Sequence, residues 1–124
     1  MRILLIEDNA PLRKIAAKLL SAAGFDVLEA ADGDSGIRLW REQGADLLLT
    51  DLHIGVPSGI QVAQELRAAA PALPVIIMSG SAVGDDELLT ATRLLGSVGI
   101  LAKPFQRADL LAAIAQQTAA QSQE

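Results

Sequence analysis

Three carboxylates, a hydroxyl and an ammonium stand at equivalent places in this 124-residue chain: Glu7-Asp8, Asp51, Ser79 and Lys103 each follow a short apolar run. The runs are Ile3 to Ile6, Leu47 to Thr50, Val75 to Met78 and Ile100 to Ala102. If each is a strand of one parallel sheet, all five side chains gather at a single edge. In open α/β sheets, the crevice at that edge holds ligands and chemistry. Two like charges ~4 Å apart repel by roughly 4 kcal/mol at an effective dielectric of about 20. An acidic cluster therefore raises a pKa or recruits a cation. Oxygen donors with positions left for water and phosphate suit magnesium. Asp51 stands alone beside a Gly-containing loop, and a carboxylate can act as a nucleophile and become an aspartyl phosphate. A cation held by Glu7, Asp8 and Asp51 would neutralise the phosphoryl oxygens. Lys103 would add positive charge, while Ser79 and backbone N–H groups would donate hydrogen bonds.

Taken singly, each residue has a plainer explanation: acidic residues after strands form turns or caps, a serine fills a turn, a lysine is solvated. Their arrival at four equivalent strand ends favours a shared site. His53, without partners in the pattern, reads as a loop residue. Trp40, Phe25 and Phe105 read as packing, and Asp85-Asp86-Glu87 as charge favouring the positive end of the fourth helix.

The elements that must position the site follow from the same runs. They are continuous rather than alternating, the pattern of strands covered on both faces by helices. Residues 25–30 read as a further strand. Between the strands the apolar residues take helical spacing. Leu12, Ile15, Ala16, Leu19 and Ala23 mark the first inner face, with Pro11 at its start and Gly24 past its end. Ile37 and Trp40 mark a second helix that stops at Gly44. Ser58 with Gln61 predicts a capping box for a third, with Val62, Ala63, Leu66 and Ala70 inside and Pro71 beyond. Leu88, Ala91, Thr92 and Leu95 mark a fourth, closed by Gly96, and Leu110, Leu111 and Ile114 a fifth. Five strands alternating with five helices imply right-handed βαβ crossovers. Residues 117–124 read as a polar tail, a frayed helix end or the start of a linker after a domain of residues 1–116.

Composition narrows the classes. An apolar share of 51% supports a core. A net charge of -5 argues against direct nucleic-acid binding, which wants a basic stripe. Without cysteine, and with His53 alone, no zinc cluster can form. Nothing approaches the ~20 apolar residues of a membrane span, and the opening run is too short for a signal peptide. A cytoplasmic protein without membrane association is expected.

On the stretches ILLIEDN (3–9), LLLTDL (47–52), PVIIMSG (74–80) and LAKPF (101–105), the chain resembles a two-component response-regulator receiver domain, chemotaxis-regulator-like, over residues 1–116. The resemblance implies a flavodoxin-like (βα)5 fold, a doubly wound five-stranded parallel sheet of order 2-1-3-4-5. It implies Mg2+ on Glu7, Asp8, Asp51 and the backbone carbonyl of His53, with Asp51 the phosphoacceptor, Ser79 its hydroxyl and Lys103 its lysine. It also implies a cis bond to Pro104 and places Gly59 at the family's glycine. By the same resemblance, a sensor histidine kinase or phosphotransfer protein donates the phosphoryl group, and a conformational change regulates an effector protein or domain. The protein would be a monomer or a phosphorylation-dependent dimer. It would catalyse only its own phosphorylation and dephosphorylation, so it is not a turnover enzyme.

Three departures stand out. Ile54-Gly55 replaces the usual Met-Pro, with proline arriving at Pro57; the stretch between Ser79 and Lys103 is slightly long; and Ile100 occupies the switch position usually held by Tyr or Phe. Other classes fit less well. A phosphatase or mutase with an aspartate nucleophile would want Asp-x-Asp after the first strand, where Glu7-Asp8-Asn9 stands. A flavin carrier would want a Ser/Thr/Gly-rich phosphate loop there. A degenerate receiver acting only as an interaction module would not need the intact five-residue set.

Overall fold

Strands form where the apolar runs predict them: the runs at 3–6, 47–50 and 75–78 are buried on both faces, while those at 25–30 and 100–102 lie at the sheet edges and are only partly covered. The computed structural model describes residues 1–80 and 85–122, the side chains of 85–87 and 120–122 excepted. Its strands are β1 (Arg2–Ile6), β2 (Asp26–Ala30), β3 (Leu47–Asp51), β4 (Val75–Ser79) and β5 (Gly99–Ala102). They alternate with α1 (Ala10–Ala22), α2 (Gly33–Gln43), α3 (Gly59–Ala69), α4 (Asp85–Leu95) and α5 (Arg107–Ser122). All pairings are parallel and the order is β2-β1-β3-β4-β5, as expected.

The period of two along each strand divides the core. Leu4, Ile6, Leu48, Val75 and Ile77 face α2, α3 and α4. Ile3, Leu5, Leu47, Leu49, Ile76 and Met78 face α1 and α5. Register then aligns the strand ends: Ile6 lies opposite Thr50, Asp51 opposite Met78, and Ser79 opposite Ala102. The residues that follow each run therefore emerge together.

Local chemistry sets the helix starts. Asn9 Oδ1 accepts the Leu12 N–H at 3.0 Å to cap α1. Ser58 and Gln61 form the anticipated capping box of α3, at 3.2 and 2.8 Å. Arg67 of α3 donates to the Leu73 carbonyl at 3.0 Å and also to the carbonyls of Leu95 and Ser97, tying down the end of α4. Trp40, Phe25 and Phe105 pack at the core margins, as expected of them.

Three inner faces differ from the periodic reading. On α1 the buried residues are Ala16, Ala17 and Leu20, whereas Ile15 is 57% exposed. The helix docks on the sheet through these three residues, and that docking turns Ile15 outward. On α4, Ala91 is fully buried but Thr92 is exposed, its hydroxyl donating to the Leu88 carbonyl at 2.9 Å. Beyond Gln116 the chain stays helical to Ser122, with Gln117 buried against Gly99. The capping role read for Asp85-Asp86-Glu87 lies outside the described side chains.

Candidate functional site

The site is assembled by four strand ends. Glu7, following β1, is 1% exposed, Asp51 at the end of β3 is 7% exposed, and Ser79 at the end of β4 is 6% exposed. Asp8 faces solvent. Lys103, just after β5, is docked by its backbone N–H, which donates to the Ser79 carbonyl at 2.8 Å. Its peptide bond to Pro104 is cis, as is Val56–Pro57 in the loop after Asp51.

The Lys103 ammonium reaches across the sheet edge. It donates to Glu7 Oε1 at 2.6 Å and to Asp51 Oδ2. The other Asp51 oxygen, Oδ1, accepts the His53 N–H at 3.2 Å. Glu7 Oε2 accepts the Asn9 N–H at 3.2 Å. Burial pushes the Glu7 carboxyl above its ordinary pKa, against the lowering pull of Lys103 and the Asn9 N–H. Burial works to lower the Lys103 pKa, but hydrogen bonds to Asp51 and Glu7 and their charges outweigh it, so the net shift is upward. The ammonium stays charged between two carboxylates.

Carboxylate oxygens of Glu7, Asp8 and Asp51 lie within 4.8 Å of one another. An all-oxygen, partly open set of three carboxylates fits a small hard cation such as Mg2+ better than a soft one. Glu7, Asp8, Asp51 and Lys103 thus converge, and Ser79 stands at the neighbouring strand end, joined to Lys103 through its backbone carbonyl. His53 is an exposed loop residue whose backbone joins the site's edge. Ile100 does not join it: the side chain is 43% exposed on the edge strand β5.

Two supports were not legible in the spacing. Gly59, noted only through the family resemblance, lies against the backbone of Asp51, since a Cβ there would lie 2.2 Å from the Asp51 carbonyl oxygen. No other residue fits, and the first turn of α3 is thereby pressed against Asp51. The second is Arg13 of α1, whose Nη1 donates to the Glu7 carbonyl at 2.8 Å while Nε lies 3.5 Å from Glu29 Oε1. Nothing in its spacing marks it, because its target is a backbone group.

Comparison with known proteins gives the family and the fold. A family model described as "Response regulator receiver domain" matches residues 3–115. The chain is 34% identical over 114 residues to the cell cycle transcriptional regulator CtrA of Caulobacter vibrioides, covering 92% of this chain and 48% of that one. It is 32% identical over 113 residues to the phosphate regulon transcriptional regulatory protein PhoB of Escherichia coli, covering 91% and 49%. The chain thus spans about half the length of these curated relatives. A solved receiver domain from Clostridium thermocellum superposes with a TM-score of 0.86 at 28% identity, covering 98% of this chain and 96% of that one.

Proposed function

The chain belongs to the response regulator receiver domain family, a family of phosphoacceptor signalling proteins rather than turnover enzymes, and on that premise we propose that Asp51 receives a phosphoryl group from the phosphohistidine of a sensor histidine kinase or phosphotransfer protein. The observation that carries the reading is the Lys103 ammonium bridging Glu7 and Asp51 across the sheet edge. An oxygen of the Asp51 carboxylate attacks phosphorus as the bond to the donor nitrogen breaks, leaving an acyl phosphate. Lys103 then exchanges carboxylate partners for a phosphoryl oxygen. The Ser79 hydroxyl and the backbone N–H groups beside Asp51 donate to the others. Glu7, Asp8, Asp51 and the His53 carbonyl would hold Mg2+, which when bound supplies charge that offsets the phosphoryl oxygens.

Hydrolysis by the same residues returns the carboxylate, so the domain acts as a switch on an effector protein or attached domain. Ile100 takes the place of an aromatic readout. A cytoplasmic site of action, and a monomer or phosphorylation-dependent dimer, complete the reading. Incubation with acetyl phosphate and Mg2+ should add one phosphoryl group by intact mass, and Asp51→Asn should abolish it. Undiminished labelling of that variant would overturn the assignment.

A further inference from the structure

We propose that Arg13 is a positioning residue that aims Asp8 at the cation, a role that rests on the magnesium site just described. Asp8 is exposed and its carboxylate neighbours that of Glu7 in the same loop, so the backbone that carries both sets how it is presented. Both peptide groups flanking its Cα are held. The Glu7 carbonyl, on one side, accepts Arg13 Nη1 at 2.8 Å. The Asn9 N–H, on the other, donates to Glu7 Oε2 at 3.2 Å. Glu7 itself is anchored by its N–H to the Ala30 carbonyl at 3.0 Å.

Arg13 is well placed for this task. Its side chain is 16% exposed, and Glu29 on β2 steadies the guanidinium from the Nε side. Its own N–H donates to the Asn9 carbonyl at 2.9 Å, so the reach back begins from the first turn that Asn9 caps. A planar fork can serve the carbonyl from one edge and the carboxylate from another, which a single ammonium cannot do in the same geometry.

Charge and position make opposite predictions here. Arg13 brings a positive charge toward a cation site, so as a charge alone its loss would tighten Mg2+ binding. As the support of Asp8, its loss would weaken binding. Residues that orient metal ligands typically contribute about 10–100-fold to metal affinity, and the lower end suits a group that acts through the backbone.

The test uses Arg13→Met and Arg13→Lys in the whole chain, first metal-free and then titrated with Mg2+ while backbone amide signals are followed by NMR. In metal-free protein the Asp8 and Asn9 amides should shift more than those of β3 in both variants. The Mg2+ dissociation constant should rise about tenfold, with lysine failing to rescue, and saturating Mg2+ should restore labelling by acetyl phosphate. A merely structural role would lower the melting temperature and leave the folded protein's Mg2+ affinity unchanged. Unchanged or tighter affinity, or unmoved Asp8 and Asn9 amides, would overturn the proposal. If Arg13→Met does not fold, Arg13→Lys decides by the same criteria. If the wild type shows no Mg2+-dependent shifts, the site reading fails, and the metal-free amides still decide whether Arg13 holds Asp8.

Discussion

Lys103→Met keeps most of the side chain's length and deletes its charge. Glu7 and Asp51 then face each other with carboxylate oxygens within 4.8 Å, both of them buried. At that separation two unit charges repel by about 3.5 kcal/mol at an effective dielectric near 20. Entry of water and the lost desolvation cost of the ammonium relieve part of this, leaving an expected loss of about 2–3 kcal/mol near pH 7.5 without metal. Domains of this kind have roughly 5–15 kcal/mol in hand, so the variant should fold, with its melting temperature lower by on the order of 10 °C. The pH dependence has a definite sign. Glu7 is held above its ordinary value of 4.5, so the folded chain binds that proton more tightly than the unfolded chain does. Stability from this group therefore falls as pH rises from 4.5 through the raised value. Without Lys103 that window widens upward. The defect should be largest near pH 7.5 and shrink as pH falls toward 4.5 and Glu7 takes up its proton, which ends the repulsion. Mg2+ should raise the variant's melting temperature more than the wild type's, because a divalent cation replaces the missing charge. Thermal unfolding by circular dichroism at both pH values, with EDTA or Mg2+, measures all of this. A loss equal at both pH values and indifferent to Mg2+ would refute the electrostatic account and leave Lys103 as a packing residue.

Gly59→Ala must displace the Asp51 carbonyl, so urea denaturation should show a loss toward the upper end of overpacking, about 3 kcal/mol, with slower Asp51 labelling. Wild-type stability with slower labelling absent would mean that α3 shifts freely. Asp32 caps α2 by accepting the Ser35 N–H at 2.7 Å, which lowers its pKa below the ordinary 3.8. Its contribution is present above 3.8 and lost as pH falls through the lowered value. Asp32→Asn should therefore flatten the acid limb as pH falls below 3.8, measured by urea midpoints. Beryllofluoride, which mimics the aspartyl phosphate, should move the Ser79 and Gly80 amides more than that of Ile100, whose side chain already lies at the surface. The reverse ranking in NMR spectra would show that the β5 position still reads out phosphorylation without a ring.

The sequence by itself determined the strands and the gathering of the site. Runs such as Ile3 to Ile6 and Val75 to Met78 are apolar at every position, short and rich in β-branched residues, the pattern of a strand covered on both faces. Glu7, Asp51, Ser79 and Lys103 directly follow such runs, so parallel pairing alone brings them to one edge. Capping was equally local: Ser58 and Gln61 bond across three residues, and Gly44 ends α2, each within reach of its own neighbours.

Tertiary structure decided what depends on distant backbone. The α1 sequence carries apolar residues on more than one stripe, and only docking of Ala16 and Ala17 against the sheet turned Ile15 to solvent. Gln117 reads as tail, yet Gly99 on β5 leaves the space that its side chain fills. Gly59 meets the Asp51 carbonyl and Arg13 meets the Glu7 carbonyl. A carbonyl is the same group at every residue, so no pattern of side-chain types marks the one to be touched. Spacing along the chain specifies which side chains share a face; which backbone groups come within hydrogen-bonding distance is settled only when the layers pack.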